Sequence, residues 1–240
     1  MKKVVLFILC FATYFNIFAQ RFENFSKYMP FGVAIEGNID NAFKLHNADN
    51  INITLNKPFS YNIGLFYEFN RCNRWSCIVG LNYNNFSLYD FKIDGDNTRE
   101  YSDRDSYIST SIFLQYKKDI TEKIFANLKV GLDVNLNGLN SYYYLNDVKT
   151  FENYSFTMEG SYFNRDVEIY RLIVGAGAIF DCKYFLLGAD VLYTLLAPCR
   201  TGFDYNLTES TVQNSGTIKH EGRYLGIKLS FYPRKLNRYL

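Results

Sequence analysis

Tyr224-Leu225-Gly226-Ile227-Lys228-Leu229-Ser230-Phe231, near the end of a 240-residue chain, alternates apolar residues with small or polar ones and finishes on an aromatic. Successive side chains of a strand point to opposite faces, so Leu225, Ile227, Leu229 and Phe231 share one side and Gly226, Lys228 and Ser230 the other. Such a strand suits lipid on one face and a polar interior on the other. The rest of the chain has to repeat the pattern for that reading to hold.

The opposite end reads as an export signal. Lys2 and Lys3 precede an apolar stretch from Val4 to about Phe15, and Ile17-Phe18-Ala19 stands ahead of Gln20. The order of a basic, an apolar and a small-residue region predicts cleavage after Ala19, leaving residues 20–240 as one domain. Phe7-Ile8-Leu9 lacks the small residues expected before a lipidated cysteine, which argues against lipidation at Cys10. Removal of Lys2 and Lys3 from 26 basic residues leaves 24 against 24 acidic ones, so the mature chain has no net charge and no signature of a nucleic-acid partner. With 21 Tyr and 22 Phe, aromatic content is far above that of an ordinary soluble domain. The longest later apolar stretch, Tyr184 to Ala197, contains Gly188 and Asp190, so a membrane would be crossed by strands.

Eight strands are predicted, at about 31–39, 60–70, 75–89, 106–117, 123–138, 167–181, 183–196 and 222–232. Three tight connections, at 71–74, 118–122 and 181–182, alternate with long ones at 40–59, 90–105, 139–166 and 197–221. All four prolines, Pro30, Pro58, Pro198 and Pro233, fall outside the strands, where a missing donor breaks no ladder. One face collects Val33 and Ile35, Leu65 and Tyr67, Leu81 and Tyr83, Ile112 and Leu114, Leu128 and Val130, Val174, Val191 and Leu229, with no charge among them. The other carries Glu36, Glu68, Lys129, Asp133, Arg171, Asp190 and Lys228 beside Asn38, Asn82, Ser111, Gln115 and Asn127. A soluble ligand-carrying barrel would reverse these faces. The expected fold is therefore all-β, an eight-stranded antiparallel up-and-down transmembrane β-barrel of the bacterial outer membrane, with short periplasmic turns and long external loops. Its interior is too narrow for a channel, so the seven lumenal charges are expected to pair, with either water or Lys117 near the periplasmic rim offsetting the one surplus acid.

On these features the chain resembles the small eight-stranded outer-membrane barrels, OmpA-like in architecture, and within them the PorT-like barrels of Bacteroidetes. The resemblance covers nearly all of the mature chain and includes the Phe18-Ala19-Gln20 junction. Residues 224–231 are similar to the signal read by the barrel-assembly machinery, with Gly226, Leu229 and Phe231 at its defining positions, although here a basic tail, Pro233 to Leu240, follows. The resemblance implies outer-membrane lipid and that machinery as partners. Fold alone does not settle activity, since such barrels include adhesins, secretion-associated proteins and lipid-modifying enzymes.

An enzyme of the lipid A deacylase kind needs a serine, a histidine and an acid brought together. Only His46 and His220 exist; Glu221 adjoins His220 and Ser215 is nearby, but neighbours on a strand face opposite ways. Asp94-Gly95-Asp96-Asn97 reads as a tight turn rather than a calcium loop. Cys72 and Cys77 either form a disulfide across the second hairpin or remain thiols. The third long loop, with Tyr142, Tyr143, Tyr144, Phe151, Tyr154, Phe156, Tyr162 and Phe163, is either a contact surface for a protein or surface partner or an extension of the flanking strands with its rings packed together. The expectation is a non-enzymatic barrel without cofactor or metal, with a lipid-modifying enzyme as the alternative.

Overall fold

The computed structural model describes residues 22–40, 43–46, 53–57, 59–93, 99–136, 144–151, 154–161, 170–196, 201–209, 212–220 and 224–235. After a short 3-10 turn, Glu23–Lys27, the chain forms β1 (Phe31–Asp40), β2 (Phe43–His46), β3 (Ile53–Leu55), β4 (Phe59–Phe69), β5 (Trp75–Ile93), β6 (Arg99–Asp119) and β7 (Ile124–Asn135). It continues with β8 (Tyr144–Phe151), β9 (Tyr154–Ser161), β10 (Tyr170–Asp181), β11 (Phe185–Leu196), β12 (Thr201–Glu209), β13 (Val212–His220) and β14 (Tyr224–Pro233). Eight of these close on themselves in the order β5-β4-β1-β14-β11-β10-β7-β6, with β6 returning to β5, every pair antiparallel. The fold is a closed eight-stranded up-and-down barrel.

Pairing of the first and last strands closes it. Ile35 opposes Leu229 and Glu36 opposes Lys228, so outward apolar residues meet apolar ones and inward charges meet opposite charges across the seam. A slip by one residue would set a charge against lipid, which fixes the register. Outward residues are exposed and apolar all round the wall: Leu65 is 64% and Ile227 62% accessible, with Ile35, Ile63, Leu81, Leu128, Val130 and Val191 in the same condition. Such a continuous apolar band is unsuited to water. It is bordered at the tight-turn end by Tyr67 and Phe69, Trp75 and Tyr116, and Phe185 and Phe231, each pair in ring contact, and at the other end by Phe59, Tyr83 and Tyr193. From Phe185 to Tyr193 the strand runs about 26 Å. At a tilt of ~40° that projects to about 20 Å, the height of a thin bilayer core.

The segments expected to be long irregular loops are largely strand. β5 and β6 run on past the apolar band to Ile93 and Arg99, which pair, so 90–105 is mostly hairpin around residues 94–98. The Asp94-Gly95-Asp96-Asn97 turn lies outside the described residues. The other three connections contribute a second sheet in the order β2-β13-β12-β9-β8. That order repeats β1-β14-β11-β10-β7, the strands these elements continue, while β3 pairs with the end of β5. The wall of the barrel is thus prolonged by paired strands on the side opposite the tight turns. The third connection is not irregular: β8 and β9 pair as a hairpin that prolongs β7 and β10, and β9 also pairs with β12.

Val130 lies on the outward face between Leu114 and Val174, whereas Asn135 ends β7 on the inward side. Val130→Arg is expected to cost about 2–4 kcal/mol and to impair assembly, and Asn135→Ser to be mild. Refolding yield into lipid vesicles, read from heat-modified gel mobility, checks this; the reverse order of severity would mean that the faces are exchanged.

Candidate functional site

Every strand contributes its inward residues to a filled interior. Tyr28, Phe66, Ile78, Phe113, Phe125, Ile173, Ile179, Leu186, Leu192 and Tyr232 are buried there together with the polar set. The sequence reading assigned the lumen to polar groups alone and missed this apolar share. It arises because a barrel of this width must be filled by side chains, and aromatic rings supply the volume that Gly, Ser and Asn leave.

The charges occupy three levels. Nearest the tight turns, Lys117 Nζ lies 2.7 Å from Glu68 Oε1, both side chains essentially inaccessible. Gln115 Nε2 also donates to Glu68 Oε1 at 3.0 Å, and Lys117 Nζ to the Arg71 carbonyl. Lys117 is therefore a full member of the lumenal network rather than a rim charge, and it supplies the positive group that the sequence count lacked. At mid-height Lys129 Nζ meets Asp190 Oδ2 at 2.5 Å. The two come from β7 and β11, with β10 between them, where Lys129 opposes Gly175 and Asp190 opposes Gly177. A Cβ on Gly177 would collide with Asp190, so the glycine opens the path across the intervening strand. Asp190, Lys228 and Glu36 then follow one another on β11, β14 and β1, and Asn62 Nδ2 donates to Glu36 Oε2 at 3.0 Å. A Cβ on Gly226 would strike Asn38 Oδ1 and lie 3.1 Å from Glu36 Oε1, which gives that glycine a packing role of its own.

At the outer level Arg171 Nη2 contacts Asp133 Oδ2 at 2.9 Å, its direct cross-strand neighbour, and also donates to the Tyr107 hydroxyl. All seven lumenal charges of the sequence reading thus point inward. Gly226 faces the lumen while Leu229 and Phe231 face outward, as adjacent strand positions of opposite parity must. Two cavities among the described residues are small: one of about 20 Å³ among Asn38, Ser60, Asn84, Tyr107, Arg171 and Tyr224, and one of about 10 Å³ beside Lys129 and Lys228. Each has room for about one water.

The tight-turn end is closed by the segment that precedes β1. Phe22 and Phe25 stack edge-on against Phe125 with centroids 5.4 and 4.8 Å apart, and Lys117 Nζ lies 4.9 Å above the Phe25 ring. Arg71, in the β4–β5 turn, donates to the carbonyls of Phe25, Tyr28 and Met29 and so satisfies the end of the 3-10 turn. The Phe22 amide bonds the Cys72 carbonyl, Asn24 reaches Glu122 in the β6–β7 turn, and Tyr28 donates to Asp181 at the end of β10. Burial, followed by that bond to Asp181, pushes the Tyr28 phenol up, so it stays a neutral donor. One short segment therefore touches all three tight turns. Sequence reading missed it, although Phe22, Phe25 and Tyr28 at a spacing of three carry the 3-10 period.

The remaining candidates are not drawn together. His46 and His220 lie on the paired strands β2 and β13, and Ser215 is five residues from His220 along one strand, about 16 Å away; Glu221 lies outside the described residues. Cys72 and Cys77 are both free thiols, Cys72 packing against the buried core and Cys77 at an outward position. Tyr144 and Tyr154 belong to β8 and β9, and Tyr142, Tyr143 and Tyr162 lie outside the described residues. Among the described residues no group of acids, histidines and cysteines forms a metal site.

No family model and no curated protein matches the sequence. Among solved structures the chain is similar to the outer membrane protein OprG from Pseudomonas aeruginosa, at 8% identity and a TM-score of 0.42 over 87% of this chain and 98% of that one. It is also similar to the outer membrane protein AlkL, at 15% identity and a TM-score of 0.32 over 89% and 94%.

Lys117→Met leaves the Glu68 carboxylate buried without its cation and is expected to cost about 3–5 kcal/mol. Arg171→Ala should cost less, because that side chain is 22% accessible. Urea unfolding in lipid vesicles measures both, and the combined Lys117→Met and Glu68→Met substitution should recover much of the loss. Equal costs for Lys117→Met and Arg171→Ala would contradict the assigned burial.

Proposed function

We propose that the chain is a non-enzymatic outer-membrane barrel whose prolonged external wall contacts a protein or surface partner. The observation that carries this reading is the asymmetry of the two ends. The periplasmic mouth is stoppered by residues 22–28, whereas eight strands run on beyond the apolar band at the other. A solute pore would need a continuous polar path, and the lumen between the ends is occupied by paired charges and rings. Paired strands beyond the membrane present backbone and side chains on a rigid support, which is where recognition residues are most effective.

The Phe18-Ala19-Gln20 junction and the terminal strand favour a place among the PorT-like barrels of Bacteroidetes, and with it a secretion-associated or adhesive partner. The separation of Ser215 from His220 speaks against the lipid-modifying alternative. Partners during biogenesis would be outer-membrane lipid and the barrel-assembly machinery, which would read Gly226, Leu229 and Phe231.

An epitope inserted at Asn146, in β8, should be detectable on intact cells, and one after Leu240 only once the outer membrane is opened. Lipid A from cells with and without the protein should have the same acyl pattern. Reversed labelling would invert the topology and remove the external wall as a contact surface; an acyl change abolished by His220→Ala would replace the proposal with the enzyme.

A further inference from the structure

The β10–β11 turn brings two cations to one point of the tight-turn rim. Lys183 adopts a left-handed conformation, φ 70°, held by its amide donating to Asp181 Oδ1 at 2.9 Å. Arg234, 51 residues later, donates from Nη1 to the Lys183 carbonyl at 3.0 Å and from its amide to the Tyr184 carbonyl at 3.2 Å. Turn geometry at position 183 favours glycine, yet a lysine stands there. Its Nζ lies 5.5 Å over the ring of Tyr184, the most exposed large hydrophobic among the described residues at 68%. Directly below, towards the apolar band, the Phe185 and Phe231 rings are in tilted contact at 4.9 Å, and Phe231 lies on the lipid-facing side of β14. Lys183, Arg234 and Lys235 are exposed, and the one carboxylate of the turn, Asp181, is occupied by Tyr28 and the Lys183 amide.

A guanidinium and an ammonium at the water boundary, above an aromatic pair that continues into an apolar wall, match one ligand chemistry: a phosphodiester with acyl chains below it. We propose that Lys183, Arg234 and Tyr184, above Phe185 and Phe231, form a binding site for the head group of an anionic phospholipid. The site rests on the outer-membrane reading, since it needs lipid along the Phe185–Phe231 face. Charge-assisted hydrogen bonds from Arg and Lys would hold the phosphate oxygens, and the tyrosine ring would sit at head-group depth. A zwitterionic head group carries its own cation and gains less. Each cation near an anionic head group is worth about fivefold in affinity.

The test uses the full mature chain. Purified in non-ionic detergent and mixed with equal phosphatidylglycerol and phosphatidylcholine, it should retain phosphatidylglycerol about five- to twentyfold in excess by native mass spectrometry. Combined Lys183→Gln and Arg234→Gln should bring the ratio to near parity, and Lys183→Gln alone should lower it about fivefold. Lys118→Gln with Lys123→Gln, at the neighbouring turn, should leave it unchanged. Parity in the unsubstituted protein, or equal loss in the Lys118 and Lys123 variant, would overturn the site. Displacement of phosphatidylglycerol by equimolar glycerol phosphate would show that free phosphate suffices and would overturn the lipid assignment. Insertion into vesicles is followed in parallel by heat-modified mobility: failure to insert at all contradicts the membrane reading, while normal insertion without lipid preference contradicts this site alone.

Discussion

The pairing of β1 with β14 is the constraint on which the rest of the molecule depends. In hydrocarbon an unpaired backbone group costs several kcal/mol, so a sheet can face lipid only when it has no edge. The seam from Val33–Phe231 to Asp40–Tyr224 removes the last edge of the barrel and does so in one register. That register sets Glu36 against Lys228 inside and Ile35 against Leu229 outside. Closure therefore fixes at once which residues meet lipid and which must find partners in the lumen.

Once closed, the interior has little water to share. Lys117 with Glu68, Lys129 with Asp190, and Arg171 with Asp133 each join residues from different strands, so every pair also ties parts of the wall together. Small residues decide where such crossings are possible: Gly175 and Gly177 let β7 reach β11 over β10, and Ser76 lies between Glu68 and Gln115 and accepts from the latter at 3.3 Å. At the tight-turn end the same demand falls on the carbonyls of Phe25, Tyr28 and Met29, and Arg71 meets all three. The stopper is thus held by the polar logic of the lumen as well as by its aromatic contacts.

Alternation is a local property, and for that reason the strands and their faces were legible in the sequence. Glu68 inward and Leu65 outward follow from counting by two along one strand. Partners were less legible, because Lys117 finds Glu68 across two strand boundaries and no short window contains both. The spacing of Phe22, Phe25 and Tyr28 is visible in the sequence but their role is not, for the same reason: their targets, Phe125, Arg71 and Asp181, lie far away along the chain. Strands β12 and β13 read as loop in the sequence, and the hairpin of β8 and β9 as only one of two alternatives, because Asn, Ser, Thr and Gly weaken the alternation there, while pairing with neighbouring strands supplies what local pattern does not. Apolar inward residues such as Phe66 and Phe113 were passed over because a polar lumen is an average, whereas filling one is a matter of volume.

The central claim is that the outward face meets lipid and the inward face does not. The most direct measurement is nuclear Overhauser transfer from lipid acyl protons to the protein reconstituted in lipid nanodiscs. Ile227 and Leu229, both outward on β14, should show strong transfer, as should Leu65, while the side chains of Lys228 and Ser230 between them show none. Transfer to Lys228 and Ser230, or equal transfer to both sets, would contradict the account.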